Sequence, residues 1–286
     1  MQDSFLTQTA LPIIIALIMF GMGLSLVVGD FLRVVKMPKA IAAGLLGQII
    51  LMPALAFVIA IGFELSTPLA IGLMILAACP GGTMSNVISH IARANLALSV
   101  TMTSISTVIC VFSTPFIIAL AIRYFSQSDI QDFSIGHTTV SLIMITLIPV
   151  SIGLFVRHKF EATALYLEPY FRRFSSVFIA LMIVAISIEE RNTLISSFSS
   201  VFMATLGLNL LAIGVGLALG WITKLPAIDG VTLGIEVGIQ NAALAILIAV
   251  SILKHPDYAI SAGVYGVTMY IGAFLLAILA KKTHNR

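Results

Sequence analysis

Apolar stretches, most of them long enough to cross a membrane, run along the whole chain with short polar loops between them. Nine can be placed, at residues 11–28, 40–62, 68–92, 96–122, 138–156, 174–188, 200–222, 227–253 and 258–280. About 20 apolar residues in a helix match the thickness of the hydrocarbon layer of a bilayer. The pattern therefore predicts an all-α polytopic membrane protein with nine transmembrane helices.

Two of these stretches carry polar islands that should break their helices. A Pro-Gly-Gly triplet beginning at Pro80 interrupts the third stretch. In the eighth, Gly234 and Gly238 flank Glu236, and Gln240 and Asn241 follow. Proline removes a backbone donor and clashes with the preceding turn, and glycine weakens a helix. We expect breaks near residues 80–86 and 236–241.

The two interrupted stretches occupy matching places in the two halves of the chain. The third would run inward and the eighth outward, and each is followed by one more helix before its half ends. Such a pair is typical of inverted repeats, whose binding site lies where the broken helices cross. We therefore expect a first repeat at residues 1–122, with four helices, and a second at residues 123–286, with five.

Composition excludes a soluble domain. Of the 286 residues, 59% are hydrophobic and 9% charged, against about 25% charged in soluble domains, and the mean hydropathy is +1.12. The net charge of +3 comes mostly from loop residues, so no nucleic-acid partner is expected. No basic residue precedes the first apolar stretch, so we expect it to remain in the protein rather than to be cleaved as a signal peptide.

Basic residues in the loops predict the orientation in the membrane. With the N-terminus outside, the inward loops hold Arg33, Lys36, Lys39, Arg93, Arg157, Lys159, Arg172, Arg173, Lys224, Lys281, Lys282 and Arg286. The outward loops hold Arg123, Arg191 and Lys254. Cytoplasmic loops are enriched in Lys and Arg, so this bias predicts an outside N-terminus and a cytoplasmic C-terminus.

Glu236 is the only one of the twelve acidic residues that lies well inside an apolar stretch. A carboxylate at membrane depth is costly unless it is paired or solvated, and such residues usually mark ion pathways. No histidine or second carboxylate is expected at that depth beside it, so the sequence offers no nucleophile–base pair or metal cluster of an enzyme. Glu236 is therefore a candidate ligand for a cation.

Neutral oxygens near the two breaks can complete such a cation site. Ser85 and Asn86 follow the first break, and Ser99 and Thr103, four residues apart, share one face of the next helix. Serine and threonine in membrane helices often bond their own i−4 carbonyl, so packing is the competing interpretation for these two. Oxygens for a second ion are offered by two side-chain amides within apolar stretches, those of Gln48 and Gln240.

At these residues the chain resembles the bacterial branch of the bile acid:sodium symporter family. The matching strings are CPGGTMSN at 79–86, RANLALSVTMT at 93–103, IEVGIQN at 235–241 and MFGMGL at 19–24. The resemblance covers essentially the whole chain and implies the nine-helix form of the family. It also implies a core domain, made of the second to fourth and seventh to ninth spans, that moves against a panel domain made of the first, fifth and sixth.

The resemblance further implies which residues bind the ions and the substrate. The first sodium site would be Ser85, Asn86, Ser99, Thr103 and Glu236. The second would be Gln48, Glu236, Gln240 and the backbone carbonyls of Val237 and Ile239. An anionic substrate would lie near Gly82, Thr83 and Asn241. The chain has Met269-Tyr270 where some bacterial relatives are expected to carry a His-Asn pair, which leaves the substrate open.

The function that follows is a sodium-coupled symporter, and not an enzyme. It would import an organic anion, either bile-acid-like or a small carboxylate such as pantoate, by alternating access with two co-transported Na⁺. The alternative is a proton-coupled organic anion carrier in which Glu236 titrates. We expect a multi-pass protein of the bacterial inner membrane, surrounded by lipid and functioning as a monomer.

Overall fold

The computed structural model describes residues 10–126 and 133–284, and these ranges are almost entirely helical. The first half forms α1 (Leu11–Leu24), α2 (Val28–Lys36), α3 (Pro38–Leu45), α4 (Met52–Gly62), α5 (Thr67–Ala78), α6 (Met84–Ile91) and α7 (Leu96–Phe125). The second half forms α8 (Ile135–Leu142), α9 (Ile148–Lys159), α10 (Glu161–Glu189), α11 (Arg191–Ile222), α12 (Ala227–Gly238), α13 (Ala242–Leu247) and α14 (Ala259–His284). The N-terminal residues 1–9 and Arg286, which entered the predictions above, lie outside the described ranges.

Three π-helical segments extend or join these helices. Leu46–Leu51 links α3 to α4, Ile143–Leu147 links α8 to α9, and Ile248–Ile252 continues α13. A π-turn inserts an extra residue into the helix and often occurs at a functional site. The first of these segments carries Gln48 into the interior of the molecule.

Six helical units in the described ranges are long and apolar enough to cross a bilayer, and a bent pair of helices gives a seventh. They are Pro38–Gly62, Leu96–Phe125, Ile135–Lys159, Glu161–Glu189, Arg191–Ile222 and Pro256–Lys281, with α1 and α2 as the bent pair. The predicted number of nine is not reached by this criterion. The halves of the two interrupted stretches are too short, because a helix of 12 residues spans only about 18 Å.

The first predicted span, at residues 11–28, is wrong as a continuous helix. The chain leaves α1 at Leu24 and enters α2 at an angle of 61°. Ser25 donates its hydroxyl to the Met22 carbonyl at 2.7 Å, and Asp30 accepts from the Val27 amide at 2.8 Å. These two side chains satisfy backbone groups that the bend exposes.

The sixth and seventh predicted spans begin too late. The structure has one continuous helix, α10, that starts at Glu161 and includes Pro169, and α11 already begins at Arg191. The early part of α10 is polar, with Arg172 and Glu168 paired at 3.6 Å across one turn. Hydropathy does not separate such a polar helical end from a loop.

The two interruptions lie side by side. Helix stops at Ala78 and resumes at Met84 in one, and stops at Gly238 and resumes at Ala242 in the other. Between them the Gly82 amide donates to the Ile239 carbonyl at 3.2 Å, and the Asn241 amide donates to the Pro80 carbonyl at 3.0 Å. Each segment thus supplies backbone hydrogen bonds that the other lost on leaving its helix.

The breaks are narrower than expected from the sequence. Ser85 and Asn86 already lie in the first turn of α6, and Glu236 lies inside α12. The segments between the helices contain only the residues from Cys79 to Thr83 and from Ile239 to Asn241. Ser85, Asn86 and Glu236 therefore project from helical ends rather than from the crossing segments.

Close backbone contacts between helices hold this arrangement together. A Cβ added to Gly220 of α11 would lie 2.6 Å from the Cα of Gly230 on α12. A Cβ added to Gly153 of α9 would lie 2.8 Å from the Cα of Gly23 on α1. Small residues permit such packing in a membrane, where lipid is as apolar as the side chains.

Candidate ion and substrate site

Glu236 lies in the interior with only 2% of its surface exposed. Its Oε1 accepts a hydrogen bond from the Ser99 hydroxyl, and its Oε2 accepts one from the Thr103 hydroxyl at 2.9 Å. The Ser85 hydroxyl lies 3.3 Å from that of Thr103. The structure therefore brings four of the residues predicted for the first ion site together.

The fifth predicted residue, Asn86, joins this cluster through Ser99. The Ser99 hydroxyl lies 2.8 Å from the Asn86 side-chain oxygen and also contacts Glu236. A serine has one hydroxyl proton, so it cannot donate to both acceptors at once. Ser99 therefore lies between two acceptor oxygens, and an oxygen-rich setting of this kind suits a hard cation.

No basic side chain in the described ranges forms an ion pair with Glu236. The same ranges contain no group of three or more His, Cys, Asp or Glu residues that would suit a transition metal. One carboxylate surrounded by hydroxyl and amide oxygens suits a hard cation rather than a soft one.

A second cluster of predicted residues surrounds two amides. Gln48 donates to the Cys79 carbonyl at 3.0 Å and to the Gln240 side-chain oxygen at 2.8 Å. Gln240 donates to the Val237 carbonyl at 2.8 Å, and the Ile239 carbonyl accepts from the other broken segment. The structure thus brings the two glutamines together with the backbone carbonyls. The hydrogen bonds of the Glu236 carboxylate go to the first cluster instead.

A cavity of about 640 Å³ adjoins the crossing segments. Gly82, Thr83 and Asn241, the three residues predicted for the substrate, line it together with Gln240. Met269 and Tyr270 line it as well. The Asn241 side-chain oxygen also caps α13 by accepting from the Leu244 amide at 3.0 Å.

The structure adds two buried side chains that the sequence reasoning missed. Asn209 of α11 and Tyr265 of α14 each donate to the Gly238 carbonyl at 2.8 Å. They hold the end of α12 just before the chain enters the crossing segment. The one available signal was that Asn209 is the single side-chain amide in its apolar stretch, and such residues commonly join membrane helices.

A further contact joins α7 to α12 below the first cluster. Asn95, the N-cap of α7, donates its side-chain amide to Asp229 at 2.8 Å and its backbone amide to the Thr232 hydroxyl at 2.9 Å. Asp229 is only 6% exposed.

Glu236 is therefore not the only buried acid, and Asp30 is a third. Asp30 and Asp229 lie in the first turns of their helices, where the helix dipole favours a carboxylate.

These contacts form a seam of six residues between the two helices. One side consists of Asn95, Ser99 and Thr103 on α7, at intervals of four, and the other of Asp229, Thr232 and Glu236 on α12, at intervals of three and four. Residues at this spacing lie on one helix face. The α7–α12 seam therefore positions Glu236 against the hydroxyls that contact it.

Comparison with known protein families gives the decisive observation. The model of the sodium bile acid symporter family matches residues 12–197. The chain belongs to this family.

Individual relatives agree with that assignment over most of the chain. The sodium-dependent transporter YocS of Bacillus subtilis, itself described as uncharacterized, is 31% identical over 274 residues, which cover 93% of this chain and 81% of YocS. The ileal sodium/bile acid cotransporter of Homo sapiens is 30% identical over 244 residues, which cover 84% of this chain and 69% of that protein.

A plant relative is longer. The probable chloroplast sodium/metabolite cotransporter BASS1 of Arabidopsis thaliana is 30% identical over 259 residues, which cover 91% of this chain but 63% of the plant protein. The sodium bile acid symporter resemblance noted in the sequence is thereby confirmed. These relatives are named as transporters or cotransporters.

Proposed function

We propose that this protein is a sodium-coupled symporter that imports an organic anion. The observation that carries the proposal is the oxygen cluster around Glu236, in which hydroxyl and amide oxygens surround one buried carboxyl group. Sodium transport by the family, and the names of the relatives, support Na⁺ as the cation. They do not favour the proton-coupled alternative.

Two Na⁺ ions would bind at the two oxygen clusters beside the crossing segments. The first would take the oxygens of Ser85, Asn86, Ser99, Thr103 and Glu236. The second would take those of Gln48, Gln240 and the carbonyls of Val237 and Ile239, with Glu236 shared. Filling the second site requires the Gln48–Gln240 pair to exchange its mutual hydrogen bonds for the ion.

The substrate would be a carboxylate, bile-acid-like or pantoate-like, bound near Gly82, Thr83 and Asn241. The backbone amides at the start of α6 and α13 favour an anion there. Because the residues of both proposed ion sites adjoin the crossing segments, and these segments line the cavity, cation binding would order the anion site. That linkage couples uphill movement of the anion to the sodium gradient.

We further propose that the interrupted helices count as spans, which gives nine. The pairs α5–α6 and α12–α13 would each cross the membrane once, in opposite directions, within repeats at 1–122 and 123–286. The packing supports a panel made of α1, α8–α9 and α10, since α1 contacts both α9 and α10, and a core built around α5, α7, α11, α12 and α14. Movement of one unit against the other would provide alternating access.

The proposed location is the bacterial plasma membrane. The bacterial relative and the apolar helices support a membrane location, and the loop charges support a cytoplasmic C-terminus. The membrane potential would then add to the driving force, at about 2.3 kcal/mol per net charge per 100 mV.

The first prediction concerns Glu236→Gln in proteoliposomes with an imposed inward sodium gradient. We expect sodium-driven uptake of labelled cholate or pantoate by the unaltered protein, and at least about a hundredfold lower uptake by the variant, because the cations lose their only charged ligand. Sodium should also cease to raise the unfolding temperature of the variant.

Glu64→Gln, at an exposed loop carboxylate, is the matched control and should transport normally. A folded Glu236→Gln variant whose uptake still rises with sodium would refute the assignment of this residue. Uptake by the unaltered protein that follows a proton gradient in sodium-free buffer would instead establish the proton-coupled mechanism.

A further inference from the structure

One face of α10 lines the cavity opposite the crossing segments. The lining residues of this helix, which include Ser176 and Ala180, recur at the spacing of one helix face, as shown by Glu168, Phe171, Arg172, Ser175, Ile179 and Ile183. That spacing is one side of an α-helix. Glu168 and Arg172 therefore belong to the wall of the cavity, whereas the adjacent Arg173 does not line it.

Arg172 is the only lysine or arginine among the described residues that line the cavity. The side chains on the opposite wall near the crossing segments are neutral, namely those of Thr83, Gln240 and Asn241. An organic anion that enters this cavity meets neutral side chains on that wall and finds its only permanent positive charge among the described lining residues on α10. A guanidinium binds a carboxylate through two parallel hydrogen bonds, which gives direction as well as attraction.

In the structure this guanidinium already has an anionic partner. Arg172 Nη1 lies 3.6 Å from Glu168 Oε1, one helical turn earlier, and the arginine side chain is 50% exposed against 22% for the glutamate. A pair at this distance, exposed to solvent, is weak. The arginine can therefore exchange Glu168 for another carboxylate at little cost.

We propose that Arg172 is the panel-side anion-binding residue of the cavity, and that Glu168 competes with the substrate carboxylate for it. This inference rests on the proposed symport function: the Arg172–Glu168 pair would receive the anion on the cavity wall opposite the crossing segments. Glu168 occupies Arg172 when the cavity is empty and returns to it as the anion departs. The ligand is then an anion with a carboxylate or equivalent oxygens that reaches both walls of the cavity.

The test measures equilibrium binding of cholate and of pantoate to the purified full-length protein in sodium buffer by isothermal titration calorimetry. Arg172→Gln should weaken binding about fivefold, because it removes the charge-assisted hydrogen bonds. Glu168→Gln should tighten binding about twofold, because it removes the competitor. Arg172→Lys keeps the charge and should lie between Arg172→Gln and the unaltered protein.

Arg173→Gln is the matched control, with the same charge change one residue along the helix, and should bind as the unaltered protein does. The ionic-strength dependence of the affinity should be smaller in Arg172→Gln than in the control. A merely structural ion pair predicts that loss of either partner shifts affinity in the same direction, and that outcome would overturn the proposal. So would equal affinities in all variants, or no binding of either anion by the unaltered protein.

Stabilisation by sodium separates this inference from the proposed function. It should be the same in the unaltered protein and in all four variants, since none of the changed residues contacts the ion clusters. If sodium stabilises every variant but the affinity for the anion is the same with and without Arg172, the proposed role of α10 is wrong and the symport proposal stands. If sodium does not stabilise the unaltered protein, the symport proposal itself fails.

Discussion

The Thr103 hydroxyl contacts two other members of the first ion cluster. It donates to Glu236 at 2.9 Å and lies 3.3 Å from the Ser85 hydroxyl. Thr103→Val keeps the shape but removes the ligand, so we expect the sodium KM of uptake to rise about tenfold. Thr107→Val is the control, because that buried hydroxyl bonds the Thr103 carbonyl at 2.7 Å and should leave the sodium KM within about twofold.

Initial rates of cholate or pantoate uptake at a series of sodium concentrations measure this difference. An equal increase in both variants would mean that the effect comes from altered packing of α7 rather than from a lost ligand. A decrease in maximal rate without a change in sodium KM would likewise remove Thr103 from the ion site.

At the residue scale, the sequence was informative wherever a polar side chain was out of place. Glu236 stood out because a charge in an apolar stretch is costly, and Ser99 and Thr103 because their spacing places them on one face. Asp229 was missed because it sits near the start of its stretch, where a carboxylate is unremarkable. Its burial depends on Asn95, a partner distant in the chain that no local pattern identifies.

At the scale of helices, the α7–α12 seam explains how Glu236 is held. Asn95→Asp would place a second carboxylate against Asp229, and their repulsion should separate the helices and raise the sodium KM about fivefold. Exchanging the two residues, Asn95→Asp with Asp229→Asn, restores an amide–carboxylate pair, and aspartate still caps α7. The double variant should therefore recover most of the sodium affinity.

Sodium KM and maximal uptake rate, measured for the single and double variants, provide the check. Recovery in the exchanged protein is the result that a general loss of stability does not predict. If the double variant is no better than Asn95→Asp alone, the seam does not position the ion site.

The interruptions were more predictable than the ends of the long helices. Pro80 lies in a non-helical segment because proline cannot donate to the preceding turn, and the polar run after Gly234 contains the second interruption. In contrast, the sequence did not reveal the bend after Leu24 or the early start of α10. Those features coincide with local hydrogen bonds and an ion pair, which the apolar pattern of the sequence does not reveal.

At the scale of the whole molecule, the cavity could not be derived from the pattern of apolar residues. Lipid is as apolar as a packed interior, so hydropathy does not distinguish a side that faces the bilayer from one that faces another helix. The assignment of helices to a core and a panel came only from the resemblance. The role of α10 as one wall of the cavity required the three-dimensional arrangement.

The orientation of the chain in the membrane can be tested directly by labelling from one side. Lys159 and Arg191 are exposed at the two ends of the α10 segment, and the native cysteines, Cys79 and Cys110, are buried. We expect a membrane-impermeant maleimide to label Arg191→Cys in intact cells, and Lys159→Cys only after permeabilisation, because basic loops remain in the cytoplasm. The reverse pattern would invert the topology, and labelling of both from one side would show that α10 does not separate the two loops and would contradict nine spans.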